Sequence, residues 1–371
     1  MKSLFRYVFF VLVLFLVGCT APQESEVPQE KYETARVLTV EQLATTGDSF
    51  VDKVFMVQLK LLDGDHKGET IEIEHQMMET DPFPIVLKPG DEVVLYVTED
   101  SYFVDDYKRE NGIYILIALF VVAILWVGRW QGVKTVVTLL MTMAIISFVH
   151  IPLLNRGVNP LFVTIAVATL ITILTLFFVT GVSHKSAAAV IGTLGGVIMA
   201  GVLALLFAEI SHITGLSNDE ALMLKYIPQG DIFNASELLL SGIILGALGA
   251  VMDVAMSIAS SIEEIRNNNP QISIIKLFRS GMTIGRDIMG TMTNTLILAY
   301  TGSFLPLILL FNAYQMPRNR IMNMDLIAAE VLRALSGSIG IVMCIPITAF
   351  VSVQFVRLRN KKMSQMEDLT K

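Results

Sequence analysis

Hydrophobic and polar positions follow three successive patterns along the chain. Tyr7–Val17 is a short apolar run behind Lys2 and Arg6. Residues 32–110 are polar, with apolar positions spaced by two in several places. In Thr70-Ile71-Glu72-Ile73-Glu74 the isoleucines take one face and the glutamates the other. Such alternation predicts strands over Thr34–Val40, Val54–Leu62, Thr70–Glu74 and Glu92–Val97. Asp63-Gly64 is a hairpin signal, and Lys88-Pro89-Gly90-Asp91 turns the chain into the last strand. About 75 residues of this kind suit a small barrel of the OB type. Beyond residue 111 the pattern becomes long apolar segments, at 112–128, 135–154, 160–181, 186–210, 237–260, 284–311 and 334–356. Each is about the length that crosses a bilayer. The predicted fold is a membrane α-helical bundle of about seven transmembrane helices behind a small N-terminal β domain.

The first run is too short to span, at about half the ~20 residues a membrane helix needs, and has the length of a signal peptide. It ends in Leu16-Val17-Gly18-Cys19, which resembles a bacterial lipobox with Cys19 placed for lipidation. An uncleaved anchor that happens to end in cysteine is the alternative. The Pro/Gln/Glu/Ser stretch that follows is too polar to pack and reads as a tether. The expected organisation is therefore a signal peptide over 1–18, a tether over 19–31, an extracytoplasmic acidic β domain over 32–110, a membrane domain over 111–356 and a basic cytoplasmic tail over 357–371. The only other cysteine is Cys344, inside an apolar run, so no disulfide framework is available.

Charge sharpens this division. The net formal charge is −7, yet residues 20–110 hold 21 acids and 8 bases while residues 111–371 hold 13 acids and 17 bases. With 53 % hydrophobic and 16 % charged residues, the chain is no soluble enzyme, and its acidic balance gives no basic face for nucleic acid. If the acidic domain lies outside, ten basic residues of the connections and tail fall inside, among them Arg129, Lys134, Lys185, Arg266 and Arg359. Four fall outside: Arg156, Lys225, Arg318 and Arg320. That asymmetry obeys the positive-inside rule and predicts a multi-pass protein of the bacterial cell membrane with a cytoplasmic C-terminus. Asp63, Asp65 and Glu69 invite a calcium site but lack the EF-hand ligand pattern, so they read as a solvated hairpin tip. His66 and His75 read as surface residues.

Within the spans the polar residues stand out. Asp253, Ser257, Ser260 and Glu264 share one helical face. In the next span Thr283, Asp287, Thr291 and Asn294 do the same, with Arg286 beside them. Two adjacent spans with facing polar stripes would enclose a wet path, and intramembrane ionisable groups are functional candidates because they are costly to insert. Asp253, Ser257, Arg286, Asp287, Thr291 and Asn294 are accordingly the expected solute or ion pathway. The competing reading is an Arg286–Asp253 pair that pins two helices. Glu330 and Arg333 read as a local ion pair at the outer surface. Pro306 and Pro346 are expected to interrupt their helices, with Asn294, Tyr300 and Thr348 as secondary candidates for lining such a break. Gly192/Gly196, Gly242/Gly246 and Gly281/Gly285 are Gly-x-x-x-Gly pairs, suited to close helix packing within the bundle or in a homo-oligomer.

The stretches Gly246–Ser261 (GALGAVMDVAMSIASS), Ser280–Tyr300 (SGMTIGRDIMGTMTNTLILAY) and Leu335–Thr348 (LSGSIGIVMCIPIT) resemble the YibE/F family of bacterial multi-spanning membrane proteins. The resemblance covers roughly residues 130–356 and implies a polytopic protein of the cell membrane with an extracytoplasmic β module near its start. It brings no established reaction, although permease-like labels are common in the family. The expectation is a permease or exporter of a small solute or ion, proton-coupled through Asp253 or Asp287. The alternative is a membrane scaffold or accessory subunit whose residues 32–108 bind a protein partner outside the cell. Two aspartates on neighbouring spans also resemble an intramembrane protease, but Gly285-Arg286-Asp287 has arginine where the Gly-x-Gly-Asp pattern has glycine. No metalloprotease, serine-hydrolase or P-loop motif occurs, so no enzyme activity and no cofactor are expected.

Overall fold

The computed structural model describes residues 31–43, 51–78, 83–98, 101–227, 230 and 233–369. Cys19 and the signal and tether segments before Lys31 lie outside the described residues. The chain divides into two compact units, the first ending at Val127 and the second beginning at Gly128.

The first unit contains β1 (Lys31–Leu43), β2 (Val51–Leu61), β3 (Thr70–Met78), β4 (Glu92–Val97) and β5 (Tyr102–Tyr107). They form one antiparallel sheet in the order β3-β2-β1-β4-β5. Its two edges, β3 and β5, come into contact, so the sheet curls into a half-barrel without hydrogen-bonded closure between them. Period-two alternation builds the core. Ala35, Val37, Val57, Leu59, Ile73, Val93 and Leu95 all point inward and are buried. Glu33 occupies the same inward row. It is buried against the β2–β3 turn, where Gly64 has φ +80°, and its carboxylate lies 3.2 Å from Lys31 Nζ. The sequence places Lys31 in the tether and sees nothing at β5. Both join the sheet because β1 continues its pairing with β4, and β4 offers β5 a free edge.

The first helix, α1 (Glu110–Ile145), leaves this unit and enters the second. Arg129, with φ 48° and ψ −126°, breaks it. A π-turn over Ile146–His150 and α2 (Ile151–Asn155) complete a helical stretch of 46 residues. Next come α3 (Pro160–Thr180), α4 (His184–Ile210), α5 (Asp219–Tyr226), α6 (Ala235–Asn268), α7 (Ile274–Ser303), α8 (Leu305–Ala313), α9 (Arg318–Met322) and α10 (Asp325–Leu369). Side-chain caps fix four starts: Asn159, Ser183, Asn234 and Ser273 accept from the backbone N–H three residues on.

Among the described residues five helices are long and apolar enough to cross a membrane, or six when the bent pair α7–α8 is taken as one span. The expected count of seven is not reached. The runs 112–128 and 135–154 belong to one helical stretch, because its first residue after Val127, Gly128, and the break at Arg129 interpose no loop. Within the second unit α4, α6 and α10 form the centre, flanked by α3 and α7. Glycine sets their spacing. A Cβ on Gly196 of α4 would stand 2.7 Å from the Gly340 carbonyl of α10, and one on Gly340 would stand 2.9 Å from the Gly196 carbonyl. Lys185, Glu263, Arg266 and Arg359 gather around one pit at the end of this bundle.

Candidate functional site

The core side of α6 is continuous: Ile243, Ile244, Ala247, Leu248, Val251, Val254, Ala255, Ile258 and Ile262 are buried at helical spacing. The opposite stripe, Gly242, Gly246, Gly249, Asp253, Ser257 and Glu264, is exposed. On α7 the buried positions are Leu277, Gly281, Gly285 and Leu296. A Cβ on Gly281 would meet Ile262 at 2.6 Å, and one on Gly285 would meet Ile345 at 2.2 Å and Ile258 at 3.3 Å. The small faces of α7 therefore pack on α6 and α10, which turns its polar stripe outward.

All six pathway candidates, Asp253, Ser257, Arg286, Asp287, Thr291 and Asn294, are exposed. Among the described residues of the second unit they enclose no path. The two stripes do not face each other across an interior space; they lie on the surface of the second unit. Ser257 and Arg286 each adjoin the Ile258–Gly285 contact, so the stripes flank the seam between the two helices. The Arg286–Asp253 pair is not formed. Among the described residues Asp253, Arg286, Asp287 and Asn294 make no side-chain hydrogen bond or ion pair. Thr291 is satisfied locally, donating to the Ile288 carbonyl at 2.9 Å.

At the far end of α7 lies a cavity of about 820 Å³, which the sequence did not reveal. Pro306, at the start of α8, has no N–H to continue α7, and the pair bends by 58°. The bend opens a space walled by α7, α8, α9 and the start of α10. Its lining is mostly apolar, including Ile297, Phe304, Phe311 and Leu335, with Tyr300, Asn312 and Glu330 as polar groups. Glu330 pairs with Arg333 at 2.7 Å, as its spacing foretold, but its second carboxylate oxygen is buried with no partner. Of the secondary candidates Tyr300 does line this break. Pro346 opens no comparable gap: α10 runs through it, and Thr348 is buried, donating to the Cys344 carbonyl at 2.8 Å.

Two further polar features went unread. His150 closes the π-turn, is buried, and donates from Nε2 to Thr164 Oγ1 at 2.8 Å, since that hydroxyl itself donates to the Pro160 carbonyl. A histidine within the apolar run Phe148–Leu153 was the available signal. Glu237 accepts from Asn159 Nδ2 at 2.7 Å and so ties the caps of α3 and α6 together. In the β domain the hairpin acids are engaged. Asp63 accepts from Thr34 N and Oγ1, and Asp65 pairs with Lys31 at 2.5 Å, which holds its carboxyl below the usual range. Among the described residues no group of three or more His, Cys, Asp or Glu stands where it would hold a metal ion.

No curated protein and no solved structure matches this chain. The match lies with a family, described as YibE/F-like protein, and runs over residues 116–358, well over half of the chain. Those residues include all or most of each helix long and apolar enough to cross a membrane, together with the polar face and the cavity, and the chain belongs to the YibE/F-like family.

Proposed function

We propose that this protein is a permease or exporter of a small solute or ion, with the α7–α8 cavity as one end of its route and the α6/α7 polar face as the other. The observation that carries this reading is the approach of Gly246 to Tyr300. A Cβ on Gly246 would stand 2.7 Å from Tyr300 Oη, so the stripe that leads to Asp253 begins beside a residue lining the cavity. Gly246 and Asp253 are seven residues apart and point the same way on α6. Solute enters among Tyr300, Asn312 and Glu330 and passes along Asp253, Ser257, Arg286 and Asp287. The two aspartates exchange protons with the route, which couples it to a proton gradient. The role is not enzymatic, and the chain needs no cofactor.

The orientation belongs to the same proposal. The break at Arg129 divides the first helical stretch into two crossings, which with α7–α8 as one bent span makes seven, with the β domain outside and the C-terminus in the cytoplasm. The convergence of Lys185, Arg266 and Arg359 at one end of the bundle supports that assignment. A scaffold role, with the acidic half-barrel capturing a protein outside the cell, is the second reading; the exposed Phe103 on edge strand β5 favours it.

The test is transport by the full chain in vesicles offered a mixed pool of metabolites and ions under an imposed pH gradient, with the contents read by mass spectrometry. The expected result is accumulation or depletion of one solute class that vanishes in Asp253→Asn and weakens in Asp287→Asn. Solute movement that is the same in both variants as in the unsubstituted protein overturns proton coupling through these residues.

A further inference from the structure

We propose that the exposed polar face of α6 and α7 is covered by the same face of a second copy of this chain, so that the solute route runs between two protomers. The inference rests on the transport reading above, but it stands on a separate observation. Asp253 is near the middle of α6 (Ala235–Asn268), and Arg286 and Asp287 are near the middle of α7 (Ile274–Ser303). α6 is roughly 50 Å long, so its middle falls inside a hydrocarbon core of about 30 Å, and Gly285 packs on Ile258 only about 10 Å along α6 from that middle, which keeps Arg286 and Asp287 within the core as well. There the three charged groups are exposed and have no partner among the described residues. Lipid tails offer them no hydrogen bond, and the exposed run Ile113–Val127 carries no charged side chain either.

A second copy supplies what they lack. The face presents one cation, Arg286, and two anions, Asp253 and Asp287. A two-fold axis along the membrane normal sets each patch against itself, and it brings Arg286 of each protomer to an aspartate of the other, twice over. Glycines on the same face agree. Gly196, Gly281 and Gly285 are explained by close contacts inside the bundle, whereas Gly242, Gly249 and Gly290 have nothing within 4 Å of a would-be Cβ. Their flat surfaces let a neighbouring helix approach closely. Three uncharged groups on the face, Ser257, Thr291 and Asn294, then line the space between protomers beside the ion pairs. The route becomes an enclosed one only in the dimer.

The experiment is oxidative cross-linking in native membranes of the full chain carrying Gly290→Cys or Asn294→Cys, compared with the unsubstituted chain and with Phe162→Cys on exposed α3. The expected result is a disulfide-linked dimer for the two α7 positions alone. Cross-linking at Gly290→Cys and Asn294→Cys no greater than at Phe162→Cys overturns the proposal. A second measurement uses charge exchange, read as oligomeric mass in nanodiscs. Arg286→Asp alone weakens self-association roughly thirtyfold or more, and Arg286→Asp with Asp287→Arg restores it. Equal dimer from the single and double variants also overturns the proposal. A dimer that moves no solute defeats the transport reading and leaves the interface standing, whereas a monomer that transports does the reverse.

Discussion

Substituting Gly196 by alanine tests whether close helix approach holds this bundle together. The added Cβ would lie 2.7 Å from the Gly340 carbonyl oxygen, 2.8 Å from Val251 Cγ1 and 2.9 Å from Cys344 Cβ. Ordinary carbon contacts are near 3.5–4.0 Å, so α4 must retreat from its neighbours by about half an ångström or more. Nothing nearby can swing aside. Gly340 contributes backbone, and Val251 and Cys344 are both fully buried. Overpacking of this kind costs about 1–3 kcal/mol. Alanine would normally recover up to ~1 kcal/mol in helix propensity over glycine. In a detergent-unfolded state the helices largely persist, and that gain cancels. The control is Gly242→Ala, whose Cβ meets nothing within 4 Å although Gly242 belongs to an identical sequence motif. In reversible unfolding of the monomer, at high dilution in mixed micelles, Gly196→Ala loses about 1–3 kcal/mol, while Gly242→Ala stays within about 0.5 kcal/mol of the parent. Equal stability of the two variants refutes the packing argument.

Two predictions concern the β domain. Gly64→Ala adds a side chain at φ +80° and places its Cβ 2.2 Å from Cδ of buried Glu33, so the sheet loses about 2–3 kcal/mol of stability; a thermal unfolding midpoint unchanged from the parent refutes this. The second is the response to acid. Arg36 beside Glu92, and Arg109 with the Tyr107 N–H beside Asp106, hold these carboxyls below their ordinary values of 4.5 and 3.8. Because the folded-state values are depressed, the stability they contribute is present above those ordinary values and is lost as pH falls through the lowered ones. The amide I band of the sheet therefore melts earlier as the pH drops below about 4.5, and Glu92→Gln flattens that dependence. A midpoint that rises on acidification contradicts the sign.

Strands were legible where alternation was regular and the inward residues were apolar, as at Ile71, Ile73, Val93 and Leu95. Strand β5 was not: Tyr102–Tyr107 contains Asp105 and Asp106, and only its pairing with β4 makes it a strand. The membrane helices announced themselves by apolar length and by caps such as Asn159 and Asn234. The direction of their faces did not. In water an amphipathic helix turns its apolar side inward, but lipid is as apolar as leucine, so apolarity on α6 does not say which side is buried. The stripe Asp253–Ser257 could be read as a stripe, while its outward direction came only from what Val251, Val254 and Ile258 pack against. The same limit hid the difference between the glycine pairs. Gly192/Gly196 and Gly281/Gly285 meet neighbouring helices, and Gly242 meets none.

These facts give α7 a special place in the architecture. It buries only Leu277, Gly281, Gly285 and Leu296 across Ile274–Ser303, whereas the central helices bury a continuous side. Two of those four positions are glycines, which contribute close approach but little area removed from the surroundings. By its own composition α7 also falls short of the apolar character needed to cross a membrane, meeting it only together with α8. Phe278, Met282, Ile288, Met289 and Met292 add partly buried contacts with the core, so packing holds the apolar side of α7 and leaves Arg286 and Asp287 on the other. In the proposed dimer the second copy holds the polar side. The same helix contributes Ile297, Tyr300 and Thr301 to the cavity wall, so whatever fills or covers the polar side also positions that wall. Cavity and charged face are thus two ends of one structural element, and each constrains the geometry of the other.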